Sequence, residues 1–146
     1  MSNDKSTDNP ANILGYMQDH IRRYLSTDGA VGHMENGLPC LVMTTLGKKT
    51  GEPRQAAMIY SQAGGDFVVI GSKGGSDTPP AWFVNLMATG GGFIQVADKR
   101  YCVTARIAEG AEREPLWQQM AGIFPTYLEY QQKTERLLPV VVLSPV

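Results

Sequence analysis

One segment limits the possible folds more than any other. The apolar run Leu41-Val42-Met43 passes through Thr44 and Thr45 into Gly47-Lys48-Lys49-Thr50-Gly51-Glu52-Pro53, and Arg54 begins the return. Two glycines and a proline within seven residues turn the chain sharply, so the flanking runs form a hairpin. Gly64-Gly65-Asp66 and Asp98-Lys99 mark two more tight turns between apolar runs. Strands joined in this way pair antiparallel.

The spacing predicts six strands: Cys40 to Thr45, Arg54 to Gln62, Phe67 to Gly71, Phe93 to Ala97, Tyr101 to Ala108 and Val140 to Leu143. Helical periodicity appears from Ala11 to Leu25, where Ile13, Leu14, Met17, Ile21, Tyr24 and Leu25 share one face. A second helix is expected from Pro79-Pro80 to Ala88, capped by Asp77 or Thr78. A third runs from Glu112 to Ile123, with Leu116, Trp117, Met120 and Ile123 on one side. Phe124-Pro125 breaks it, and a short helix continues through Gln131. Residues 26–39 read as a loop. Six short strands are too few for a doubly wound sheet. They suit an α+β fold: a small antiparallel closed or split β-barrel with flanking helices.

The chain has 146 residues, enough for one domain with its own core. Residues 1–10 are polar and expected to be a disordered tail, leaving 11–146 as a single domain. A formal net charge of −1 gives no overall reason to bind nucleic acid. Cys40 and Cys102 lack metal or redox spacing and read as reduced core residues of a cytoplasmic protein. His20 and His33 stand apart from acidic or cysteine clusters and read as ordinary surface or core histidines. No run is long enough to cross a membrane, and no signal peptide is evident. The first helix could touch a membrane surface, but only Arg22 and Arg23 mark its polar side. Those arginines suit either the dipole at the helix end or an acidic ligand tail.

Four segments carry candidate chemistry. In the basic turn, Lys48, Lys49 and Arg54 flank exposed amides and form a seat for a phosphate. The spacing is not that of a P-loop, so an anionic cofactor tail fits better than ATP. A solvated hairpin tip is the competing reading. In Gly71-Ser72-Lys73-Gly74-Gly75, small residues allow a flat ring to approach the backbone. In Pro80-Ala81-Trp82-Phe83-Val84-Asn85-Leu86, Asn85 is a polar residue on an otherwise apolar helix. Finally, Phe124, Tyr127 and Tyr130 recur every third residue and share a face. Simple helix packing is the competing reading.

Together with Pro139-Val140-Val141-Val142-Leu143, these segments resemble, in order, the motifs of the deazaflavin-dependent nitroreductase family. Its members are split β-barrel proteins that use coenzyme F420. The resemblance covers about Leu41 to Leu143. It implies that Lys49 and Arg54, with Lys48 beside them, hold the cofactor phosphate. It also implies that Ser72 and the amides of Lys73 and Gly74 border the deazaflavin ring, and that Asn85 hydrogen-bonds near it. Trp82 would pack beneath the site, and Tyr127 and Tyr130 would line the acceptor side as catalytic residues. Lys48 replaces a family arginine and loses its bidentate geometry. Phe124 replaces a frequent tyrosine, which weighs against activation of a nitro group.

The implied activity is hydride transfer from reduced deazaflavin (F420H2) to a planar, apolar acceptor: a quinone, nitro compound or enone. Tyr127 is the candidate donor to the acceptor oxygen. Two alternatives stand beside it: an FMN-binding split-barrel reductase, and a non-enzymatic carrier of a cofactor, haem or lipid.

Overall fold

The computed structural model describes the backbone of residues 10–146 and the side chains from Gly15 onward. The tail expected over residues 1–10 lies outside the described residues apart from Pro10, as do the side chains of Ile13 and Leu14. The elements run α1 (Pro10–Ser26), β1 (Met34–Glu35), β2 (Leu38–Leu46), β3 (Pro53–Ile59), β4 (Ser61–Ala63), β5 (Asp66–Ile70), α2 (Ala81–Thr89), β6 (Gly91–Val96), β7 (Lys99–Ile107), α3 (Arg113–Ile123), α4 (Thr126–Gln132) and β8 (Val140–Pro145).

The strands make one antiparallel sheet in the order β1-β2-β6-β7-β8-β5-β4, with β3 also paired to β2. Its outlying strands, β3 and β4, are consecutive in the chain and meet at Tyr60. The sheet therefore curls round until its two ends are joined covalently. The expected strand from Arg54 to Gln62 is thus two strands. At Tyr60 the backbone leaves β2 for β5, and its amide turns to the carbonyl of Pro39 at 3.1 Å. The basic turn falls where expected, just beyond the Leu46–Pro53 and Thr45–Arg54 pairs.

Side chains alternate across the curled sheet. On β5, Phe67 and Val69 point inward with Leu41, Met43, Ile94, Val141 and Leu143. Val68 and Ile70 point outward against Leu116, Trp117, Met120 and Tyr127 of α3 and α4. Both faces are buried, so β5 and β8 read as unbroken apolar runs rather than as an alternating pattern. On another side α1 lays Ile21 and Tyr24 on Val42 of β2, with Met17, Leu25 and Ala57 at the margin. The Tyr24 hydroxyl is fully enclosed. It lies 2.9 Å from the carbonyl of Cys40 and accepts from the amide of Ala97 at 2.7 Å.

Three local expectations are corrected. The loop over residues 26–39 contains β1, which pairs with the start of β2. Neither Asp77 nor Thr78 caps α2. Pro80 is its N-cap, with no side-chain cap, and the Pro80 carbonyl accepts from Phe83 at 3.0 Å. Both prolines therefore precede the helix, and Asp77 instead accepts from Thr134. Cys102 is an exposed thiol rather than a core residue, while Cys40 is buried and both are free.

Candidate active site

A cavity of about 400 Å³ lies between α1 and the barrel. That is within the usual range of about 300–1,000 Å³ for small-molecule sites. Its walls include Ser72, Lys73 and Gly74, then Pro80 and Trp82 at the start of α2, then Phe124, Tyr127 and Tyr130. Tyr16, Met17 and His20 of α1 face them, and Ala57, Met58 and Ile59 of β3 supply an apolar side. Three of the four segments singled out in the sequence thus converge on one hollow.

The loop after β5 has an unusual backbone. Lys73, Gly74 and Gly75 follow one another with φ of 46°, 64° and 85°, all left-handed. For lysine this conformation costs about 1–2 kcal/mol. The amides of Gly75 and Ser76 turn back to the carbonyls of Ser72 and Lys73. Those of Lys73 and Gly74 have no acceptor among the described residues, and both residues line the cavity. Gly75 packs so closely on α4 that a Cβ there would lie 2.6 Å from the carbonyl oxygen of Tyr130.

The rings opposite form a cluster. Phe124 meets Tyr127 edge-on at 5.0 Å, and Tyr130 lies 6.2 and 6.3 Å from the two. Phe124 reaches the cluster from the break between α3 and α4, not from the helix itself. Tyr127 is 5% exposed, and its hydroxyl has no hydrogen-bond partner among the described residues. Burial pushes this phenol above its ordinary value, with Cys40 and Tyr130 adding to the effect. It therefore keeps its proton at neutral pH and acts as a hydrogen-bond donor.

The basic turn stands apart from these walls. Lys48, Lys49 and Arg54 are exposed and do not line the cavity. Arg54 donates to the carbonyl of Pro53 at 3.2 Å and meets Glu52 at 3.5 Å. Neither lysine has an acidic partner among the described residues, and the amides of Lys49 and Thr50 have no acceptor there. Asn85, expected beside the ring, is buried, and its side-chain oxygen accepts from the amide of Lys48 at 2.9 Å. It joins the turn to α2, one helical turn beyond Trp82 at the cavity wall.

The outer wall holds a network that sequence reading missed. Arg23 donates to Glu35 at 2.9 and 3.2 Å and to Asp19 at 2.8 Å. Tyr16 donates to Glu35, and Arg22 pairs with Asp19. Arg23, then Tyr16, hold the Glu35 carboxylate down at about 2. Arg22 and Arg23 are thus engaged within the chain. His20 is buried against the carbonyl of Gly32, and His33 meets the Tyr60 hydroxyl. Glu35 sits in a segment without periodicity, so nothing in the sequence flagged it.

The arrangement suits a flat ring with an anionic tail: free amides at one wall, a phenol at another, exposed cations beyond. The model of one protein family, F420H2-dependent quinone reductase, matches residues 16–145. The chain belongs to that family. It is 36% identical over 129 residues to an F420H2-dependent quinone reductase of Mycobacterium tuberculosis, covering 86% of this chain and 87% of the relative. A solved F420H2-dependent reductase shares 36% identity over 73% of this chain and 94% of its own, with a TM-score of 0.67. A structure described as a domain-swapped dimer gives a TM-score of 0.70 at 32% identity, covering 93% and 100%. The split-barrel fold, the F420H2-dependent reductase class and the family resemblance expected from the motifs are borne out. F420 rather than FMN is the cofactor these relatives point to. Among the described residues, no helix is long and apolar enough to cross a membrane.

Proposed function

We propose that this chain reduces quinones, with the deazaflavin ring lying along Ser72, Lys73 and Gly74 and the acceptor against Tyr127 and Tyr130. One observation carries this reading: Lys73, Gly74 and Tyr127 line the same cavity, and neither the two amides nor the phenol has a hydrogen-bond partner among the described residues. Each has a hydrogen to give and, among the described residues, no protein group to receive it. A ligand seated in the cavity can accept from all three.

Bound F420H2 supplies a hydride at the carbon that replaces flavin N5. The chain holds and orients. Lys49 and Arg54, with Lys48, grip the phosphate, and the amides of Lys49 and Thr50 add donors. The amides of Lys73 and Gly74 bind ring carbonyls. Trp82 and Met58 keep water from one side. Asn85 acts one step back, fixing the turn. Tyr127 donates to the acceptor oxygen as negative charge grows there, and Tyr130 closes the aromatic wall. This ordering needs a planar, apolar acceptor.

A quinone fits better than a nitro compound, because Phe124 brings no hydroxyl to the ring cluster. A cytoplasmic setting is part of the reading, supported by the two free thiols. The test is steady-state oxidation of F420H2 with menadione, a nitroaromatic and a cyclic enone. Turnover with menadione well above the other two is expected. Binding without turnover would favour a carrier, and preference for the nitro compound would overturn the acceptor assignment.

A further inference from the structure

We propose that Arg136 is a positioning residue for this reaction: it locks the loop that faces the ring onto the segment that carries the acceptor-side tyrosines. The proposal rests on the ring placement given above.

Arg136 lies between α4 and β8 and is partly buried. Its Nη1 donates to the carbonyl of Gly71 at 3.0 Å, and Nη2 donates to Ser72 at 3.0 Å. Nε and Nη2 both reach the carbonyl of Ser76, at 3.1 and 2.9 Å. One planar group thus spans three carbonyls of a six-residue loop. A lysine, with a single point of charge, cannot copy this fork.

The consequence for the cavity follows from peptide geometry. A trans peptide sends its C=O and N–H in opposite directions. Holding the Ser72 carbonyl on Arg136 therefore turns the Lys73 amide the other way. The Lys73 carbonyl is held in turn by Ser76 N–H at 3.1 Å, which fixes the direction of the Gly74 amide. Those are the two amides left without acceptors at the cavity wall. The guanidinium also polarises the Ser72–Lys73 peptide and strengthens its N–H as a donor. It holds Lys73 in a left-handed conformation that this residue would otherwise leave.

The same loop packs on α4, where Gly75 sits against the Tyr130 backbone. Just beyond both, Thr134 donates to Asp77 at 2.6 Å. Gln131 Nε2 donates to the carbonyl of Arg136 at 2.8 Å, anchoring the arginine to the helix of Tyr127 and Tyr130. Ring-facing amides and acceptor-facing phenols therefore belong to one rigid unit, with Arg136 at its hinge.

The test uses the full chain as wild type, Arg136→Ala and Arg136→Lys. Affinity for oxidised F420 is read by its fluorescence, kcat and KM with menadione, and hydrogen exchange of residues 71–76 without cofactor. Arg136→Ala should weaken F420 binding by about 10–30-fold, the loss expected for hydrogen bonds to a charged group. Exchange at Gly75 and Ser76 should quicken, while KM for menadione changes less than kcat. Arg136→Lys should recover little, and added guanidinium ion should restore part of the Arg136→Ala loss. Wild-type affinity and exchange in Arg136→Ala would overturn the proposal. If that variant does not fold, the same result in Arg136→Lys would do so. If the wild type does not bind F420, the ring placement fails, and the cofactor-free exchange still decides whether Arg136 orders the loop.

Discussion

The side-chain oxygen of Asn85 accepts a hydrogen bond from the backbone amide of Lys48 at 2.9 Å, tying a buried residue of α2 to the tip of an exposed hairpin. The tie leaves the cations of the turn exposed and fixes the backbone that carries Lys48. Asn85→Ala should therefore weaken F420 binding by about tenfold, although Asn85 does not line the cavity. Fluorescence titration checks this, and unchanged affinity would show that the turn needs no anchor.

Lys49→Ala and Arg54→Ala should each raise the dissociation constant for F420 by about tenfold, with little effect on kcat. Both side chains are exposed, so the effect should shrink between roughly 0.05 and 0.5 M salt. A salt-independent affinity in the wild type would remove the basic turn from the phosphate site.

Tyr127→Phe deletes the hydroxyl proposed to donate to the acceptor and keeps the ring. Loss of such a donor costs about 10²–10³ in kcat. Cofactor affinity should stay near wild type, because the hydroxyl belongs to the other wall. Because burial raises the phenol above its ordinary value, kcat should show no loss of this donor as pH rises from 7 to about 9. A wild-type rate in the variant would exclude the role.

Gly75→Ala forces a Cβ to within 2.6 Å of the Tyr130 carbonyl at a φ of 85°. Both effects act in the same direction, and a cost of about 2–3 kcal/mol is expected. Thermal unfolding should move down by roughly 5–10 °C. An unshifted melting temperature would mean that the loop and α4 separate freely.

Glu35 gives the acid side of stability. Its carboxyl is held near 2 against an ordinary 4.5, first by Arg23 and then by Tyr16. The unfolded chain takes up the proton first as pH falls, so the stabilisation is full above about 4.5 and is lost as pH drops toward 2. Asp19, lowered by Arg23 and Arg22, acts in the same sense. Glu35→Gln should lower stability by about 1–2 kcal/mol at pH 7 and flatten the decline between pH 5 and about 3. Melting curves across that range decide it.

The parts of the site that were readable in the sequence are those with local signals. Glycines and prolines marked the basic turn, the Ser72–Gly75 loop and the break before Tyr127, and each lies where expected. Alternating burial was hidden on β5 and β8, because helices cover one face and the barrel interior fills the other. The corner at Tyr60 left no trace, since a strand that changes partners keeps the same residue types. Arg136 and Glu35 were missed for a different reason. Their partners are distant in sequence, up to 65 residues for Arg136 and Gly71, and no spacing rule reports such a contact. Asn85 was picked out correctly as a polar residue on an apolar helix, but its hydrogen-bonded partner could be seen only in three dimensions.

The corner at Tyr60 makes the barrel a hoop with a single stitch. Cleavage of the backbone there would cut the covalent join between β3 and β4, leaving each strand held only by its own neighbour, β2 or β5. A nick a few residues on, at Gly64-Gly65, would cut only a surface turn and leave the hoop fastened.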